Sequence, residues 1–160
     1  MHDARVSFEE FFHEEHVRLF RALCLVTGSR DEAEEVSQNA FLRLLERWDR
    51  VGSMDDPTGF LYRTAMNEFR SRYRSSTRAM KRAVTFVRTD DTFEAVEDRD
   101  VVIQALRSLI PQQRAAVVLT ALLGYSSEEA GQMLGMKPAT VRTLTSRARL
   151  AMRHTLGAIR

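Results

Sequence analysis

The sequence holds little of what a secreted, membrane-spanning or disulfide-stapled protein requires. It has one cysteine, Cys24, among 160 residues, which excludes an internal disulfide and any zinc site built on several thiolates. Cys24 lies among Leu23, Leu25 and Val26, so a buried, inert thiol is expected. No run approaches the ~20 apolar residues of a membrane span, and Met1 to Arg5 lead into no apolar signal segment. A cytoplasmic protein without a membrane span is expected. Three prolines and seven glycines leave few helix breakers, and strand-like alternation is confined to Val84–Val87. The expected fold class is all-α.

Charge is nearly balanced, at a formal +2, but it is segregated. Glu32 to Glu35 is acidic. Arg63 to Arg88 is strongly basic, with Glu68 its only acid. Asp90 to Asp100 is acidic again, and no acid follows Glu129, although Lys137, Arg142, Arg147, Arg149, Arg153 and Arg160 do. Such separation points to distinct surfaces for different partners.

Helical spacing of Phe8, Phe12, His16, Leu19 and Leu23 predicts a first helix from Ser7 to about Val26, ended near Gly28. Ser29 or Asp31 caps a second, with Val36, Ala40, Phe41, Leu44, Leu45 and Trp48 inward. Asp49 to Asp56 reads as a loop. Pro57, with Asp56 as cap, opens a third helix that turns Phe60, Leu61, Thr64, Ala65 and Phe69 inward and runs to about Tyr73. Two small helical domains follow from this pattern, 1–74 and 100–160, joined by a flexible linker at 75–99. Fully extended, about 25 linker residues reach roughly 80 Å, enough to separate two sites by two DNA turns at ~34 Å each. The second domain places Val101, Val102, Ala105, Leu106 and Leu109 on one helix, and Ala115, Val118, Leu119 and Leu122 on another that Pro111 opens and Gly124 stops.

Residues 126–149 carry a helix-turn-helix pattern, which makes the C-terminal unit a helix-turn-helix four-helix domain. Ser126 and Glu129 form a capping box, Gly131 allows close helix crossing, Gly135 permits the left-handed turn, and Val141, Leu144 and Ala148 face inward. The second helix would enter the major groove. Its outward residues are Lys137, Ala139, Thr140, Arg142, Thr143, Ser146, Arg147 and Arg149, which suit phosphate and base-edge contacts.

In the first domain, Arg63, Arg70, Arg72, Arg74 and Arg78 alternate with Tyr62, Phe69 and Tyr73. Arginines that track a backbone and aromatic faces that stack on bases suit single-stranded DNA, and Asn67 can bond a base edge. Phe69 is expected in the core. Glu32, Glu34, Glu35, Gln38 and Arg43 form a polar face on the second helix, either solvated or a docking surface for a protein.

These residues resemble the extracytoplasmic-function class of the bacterial sigma-70 family over nearly the whole chain. Ala33 to Arg43 is similar to the family's second-region signature. Pro57 to Asn67 is similar to its promoter-melting helix. Leu109 to Arg114 and Gly124 to Arg149 are similar to its fourth region. The resemblance implies that Glu35, Gln38, Leu42 and Arg43 dock on the clamp helices of the largest subunit of core RNA polymerase. It implies that Gly52, Ser53, Met54, Asp55 and Asp56, with Arg63, Asn67, Arg70 and Arg74, open the minus-ten element. It implies that the C-terminal domain reads the minus-thirty-five element of promoter DNA and contacts the flap of the second subunit. An anti-sigma factor is a further partner that family members often have. The linker of such proteins runs through the RNA exit region, where Asp90 to Asp100 would mimic RNA. Lys137 stands where a serine cap is usual, Leu144-Thr145 where Arg-Leu is common, and Met66 and Ser71 where polar or acidic residues are common.

A stand-alone helix-turn-helix regulator would explain residues 126–149 equally well, but not the Phe60-Leu61-Tyr62-Arg63 helix and its basic extension. An enzyme fits worse. His13 and His16 with Glu14 and Glu15 lack a further ligand motif, and no phosphate loop or nucleophile elbow occurs. No catalytic residue, metal ligand or cofactor is expected.

Overall fold

A computed structural model of the chain describes residues 6–80 and 97–159, with side chains at 6–74 and 101–157. Most of the expected linker, and most of the acidic run Asp90 to Asp100, lies outside the described residues. Among those residues, eight α-helices and one π-helical turn form, and there is no strand.

Local chemistry sets the boundaries. Helix α1, Phe8–Thr27, starts where the Ser7 hydroxyl accepts from the Glu10 N–H, and ends at Gly28 with φ +70°. Helix α2, Arg30–Glu46, is capped in the same way by Ser29. A single helical turn, α3 (Trp48–Val51), occupies the start of the expected loop. Helix α4, Pro57–Met80, opens with the Asp56 carboxylate accepting from the Gly59 N–H at 3.0 Å. It passes the expected end at Tyr73. Helix α5, Glu97–Arg107, begins three residues before the expected domain start at Asp100.

Helix α6, Pro111–Val117, passes into a π-helical turn at Val118–Leu122. There the Leu123 N–H bonds to the Val118 carbonyl, a step of five residues. The turn holds one residue more than α geometry, and this rotates the chain beyond it. Leu122, expected inward, is 56% exposed, while Leu123 packs on the core in its place. Helices α7 (Ser127–Leu134) and α8 (Pro138–Ile159) complete the chain.

Three other apolar residues also face the opposite way from expectation. Phe12, Leu45 and Val102 are exposed. Phe11 is buried instead of Phe12, with its ring 5.0 Å from Trp48 and 6.5 Å from Phe41. Helix α1 seats on α2 and the Trp48 turn through Phe8 and Phe11, and the part-exposed Phe12 ring still meets Phe41 edge-on at 4.8 Å.

Helices α1, α2 and α4 surround Leu19, Leu23, Val36, Leu44, Leu61 and Met66, all fully buried. Each such side chain contributes ~1.5–3 kcal/mol by leaving water. The core continues into the second half of the chain through Ala115, Val118, Leu119, Met133, Leu134 and Val141, because α4 packs on α7 and α1 on α6. Tyr62 and Tyr125 meet across this seam, with ring centroids 5.9 Å apart. Leu106, Leu109, Val117 and Ala148 form a small satellite core between α5, α6 and α8. Cys24 is buried, and burial raises its thiol pKa against the opposing charge of Arg30.

Candidate nucleic-acid and partner interfaces

The turn between α7 and α8 is built on two glycines. Gly135 ends α7 at φ +65°, and Gly131 lies so close to the turn that an added β-carbon would stand 2.6 Å from the Met136 carbonyl oxygen. The Met136 N–H closes the turn on the Gly131 carbonyl at 2.8 Å. Upstream, Ser126 and Glu129 cap each other's backbone N–H groups at 3.1 Å. Pro138 opens α8, and Val141 and Ala148 are fully buried beneath it.

All eight outward residues expected on this helix are exposed: Lys137, Ala139, Thr140, Arg142, Thr143, Ser146, Arg147 and Arg149. The helix has no acid of its own, so its outer face is uniformly cationic. Among the described residues, Glu128 pairs with it: Glu128 Oε1 lies 3.7 Å from Arg142 Nη1. The Thr143 hydroxyl donates to the Ala139 carbonyl at 3.0 Å, which leaves its oxygen free to accept.

The residues expected to serve unpaired DNA lie along the loop before α4 and down one side of that helix. Ser53, Met54, Asp55, Asp56, Arg63, Asn67 and Arg74 are exposed, and Gly52 and Arg70 are half-buried. Arg70 Nη1 donates to Asn67 Oδ1 at 3.4 Å. Burial, aided by the charge of Arg74, lowers the Arg70 pKa. The structure also places α7 against this surface. A cleft of about 180 Å³ is lined on one side by Met54, Asp56, Phe60 and Arg63 and on the other by Glu129, Gln132 and Met133.

Two of the expected stacking aromatics are core residues. Phe69 is 3% exposed, and Tyr62 is fully buried, with no hydrogen-bond partner for its hydroxyl. Burial pushes the Tyr62 phenol well above its ordinary pKa. Neither ring can stack on a base in this arrangement. Tyr73 stacks on Phe69 at 6.2 Å.

On α2, Glu35, Gln38, Leu42 and Arg43 share one exposed face. Gln38 and Leu42 also border a shallow apolar hollow of about 350 Å³, completed by Phe8, Phe12, Phe41 and Leu45. Sequence reasoning missed this hollow. Its signal was Leu42 and Leu45, three residues apart on the side opposite the buried stripe. It also missed the role of Glu68, whose carboxylate accepts from Asn39 and Arg72 and pairs with Arg43. His16 is accounted for locally: its ring stacks on Phe12 at 4.7 Å, and Nδ1 lies 2.8 Å from the Phe12 carbonyl.

Comparison with known proteins matches both halves of the chain. Residues 11–79 match the family described as Sigma-70 region 2, and residues 99–152 match Sigma-70, region 4. The RNA polymerase sigma-E factor of Streptomyces avermitilis is 28% identical over 97% of this chain and 88% of its own length. The ECF RNA polymerase sigma factor SigM of Mycobacterium tuberculosis is 29% identical over 96% of this chain and 79% of its own. Among solved structures, the sigma factor RpoE of Bartonella quintana, in complex with the anti-sigma factor NepR, superposes with a TM-score of 0.77. It covers 96% of this chain and 98% of that one at 22% identity.

Proposed function

The chain belongs to the sigma-70 family, in its extracytoplasmic-function class, and from that membership we propose how its surfaces divide the work of transcription initiation. It is a sigma factor, which binds core RNA polymerase and directs promoter recognition, melting and initiation. The observation that carries this over a free-standing regulator is the region 2 match at residues 11–79. A regulator that only reads duplex DNA has no use for it.

In the proposed division, residues 1–74 dock on the polymerase and open the minus-ten element, 75–99 link, and 100–160 read the minus-thirty-five element. The polymerase face is Glu35, Gln38, Leu42 and Arg43 against the clamp helices, while the C-terminal half meets the flap. Duplex reading falls to Lys137, Ala139, Thr140, Arg142, Thr143, Ser146, Arg147 and Arg149, whose exposure and single-signed charge support it. Arginine on a guanine edge and hydroxyls on phosphates are the contacts such a face offers. Opening falls to Gly52, Ser53, Met54, Asp55 and Asp56 with Arg63, Asn67, Arg70 and Arg74. Unpairing a base costs a few kcal/mol, which cationic contacts to the freed backbone offset. With Tyr62 and Phe69 in the core, stacking would fall to Tyr73 rather than to a run of three aromatics.

An anti-sigma factor is proposed as a further partner, supported by the Bartonella quintana complex. Dependence on polymerase puts the site of action in the cytoplasm. No catalytic step is assigned to the chain. Run-off transcription with purified core polymerase on a random promoter library tests the whole reading. Start sites that share two spaced elements are expected; transcription indistinguishable from core polymerase alone would overturn it.

A further inference from the structure

Where α2 meets α4, Glu35, Asn39 and Arg43 recur at four-residue spacing, and Glu68 and Arg72 face them from α4 at the same spacing. The Glu68 carboxylate is the hub. Its Oε1 accepts from Asn39 Nδ2 at 3.0 Å and from Arg72 Nε at 3.1 Å, and its Oε2 stands 3.1 Å from Arg43 Nη2. Arg72 also donates through Nη1 to Glu35. The Glu68 side chain is only 12% exposed, whereas Arg43 and Glu35 are 57% and 62% exposed. An interior acid thus reaches the surface by two arms, and each arm ends on a residue of the polymerase face.

We propose that Glu68 is a positioning residue for polymerase docking: from the helix that carries the minus-ten residues it fixes Arg43 directly, and Glu35 through Arg72. This rests on the sigma-factor reading of α2. Long charged side chains lose rotamer freedom when a partner captures them, and those already held lose less. Burial disfavours the ionised carboxylate, but the hydrogen bonds from Asn39 and Arg72 and the charges of Arg43 and Arg72 outweigh it, so Glu68 stays ionised at neutral pH. The hub adjoins Asn67 in sequence and lies two residues before Arg70.

The test is a double-mutant cycle on the full chain, with affinity for core polymerase as readout. Glu68→Gln keeps the acceptor for Asn39 and Arg72 but loses the charge that holds Arg43. It is expected to weaken binding about three- to tenfold, the scale of freeing one or two long side chains. In an Arg43→Ala, Glu35→Ala background the same substitution should have no effect, because nothing is left to position. Promoter opening at saturating polymerase, read by permanganate reactivity, should match the unaltered chain. Equal loss in both backgrounds, or no loss in either, overturns the proposal. If Glu68→Gln loses helicity by circular dichroism, Arg72→Gln takes its place, with a loss expected only where Glu35 is present. If the unaltered chain fails to bind core polymerase, the sigma-factor reading falls, and the positioning role falls with it.

Discussion

The Arg70 guanidinium lies directly beneath Gly135, so close that a β-carbon added there would stand 2.5 Å from Nη1. A residue proposed for the minus-ten element and the turn of the helix-turn-helix motif thus lie against each other, although the DNA elements proposed for them are about two turns apart. Gly124 provides an internal control, since it also has positive φ, at +77°, but has open space around it. Gly124→Ala is expected to cost ~1 kcal/mol of backbone strain, and Gly135→Ala only a little more, because the flexible Arg70 side chain can swing aside. Chemical denaturation of both variants checks this, and in an Arg70→Ala background the excess at Gly135 should disappear.

The same contact predicts that the two halves part on the promoter. Residues 81–96 would span at most about 55 Å when fully extended, and two turns of DNA measure ~68 Å. The connector alone is shorter than that span, so the halves must move apart and the domains themselves must cover the remainder if both elements are read at once. Cysteines added at the exposed positions Glu14 and Gln104, outside the proposed DNA and polymerase faces, would carry a fluorophore pair, with buried Cys24 unreactive. Energy transfer should be high in the free chain and fall when polymerase and promoter are added. A constant signal would contradict two-site reading by one chain.

Arg142→Ala and Arg147→Ala should each weaken promoter binding by about 1–3 kcal/mol where a base contact is lost, as measured with the reconstituted holoenzyme. Glu128→Gln should do little to stability, because both Glu128 and Arg142 are mostly exposed and such pairs are worth ~0–1 kcal/mol. It should raise affinity for DNA of any sequence by removing an acid that pairs with Arg142 on the face proposed to read duplex DNA.

Leu42→Asp places a charge at the rim of the apolar hollow. Leu42 is 57% exposed, so its thermal unfolding should stay within about 0.5 kcal/mol of the unaltered chain. Capture of core polymerase should fall at least about tenfold, the equivalent of ~1.4 kcal/mol.

Glu68 also makes a prediction about acid. Its carboxyl is held below the ordinary glutamate value in the folded chain, so the unfolded chain binds the proton more readily. The stability it adds is complete above the unfolded pKa of ~4.3 and is lost as pH falls from there through the lower folded value. Denaturation midpoints followed from neutral pH to about pH 3 should drop less steeply for Glu68→Gln than for the unaltered chain. Parallel curves would show that the carboxylate is not tied down as described.

Features set by neighbours in sequence were legible from the start. Asp56 and Ser126 cap as expected, Ser29 caps where Ser29 or Asp31 was expected to, Gly28 and Gly135 take left-handed geometry, and the α8 face is exposed residue for residue, because a cap or a helical stripe needs only a few adjacent positions. What failed depended on distant partners. Tyr62 reads as a solvent-facing aromatic among arginines until α7 and Tyr125 cover it. Leu122 reads inward because nothing in Val118–Leu122 announces a surplus residue. Phe12 and Phe11 have equal claims on the core until Trp48 settles the choice. Glu68 reads as a stray acid in a basic stretch because its partners, Asn39 and Arg43, lie on another helix.

The π-helical turn at Val118–Leu122 has a bearing on DNA reading that its distance from α8 conceals. It is in effect an α-helix carrying one spare amino acid. Deleting a single residue there, such as Ala121, would let the helix close at ordinary pitch and turn everything downstream by roughly 100°. Tyr125, the Ser126 cap and the cationic helix would swing together. The direction in which this protein presents the arginines of α8 is therefore fixed by a miscount of one, made a full helix earlier.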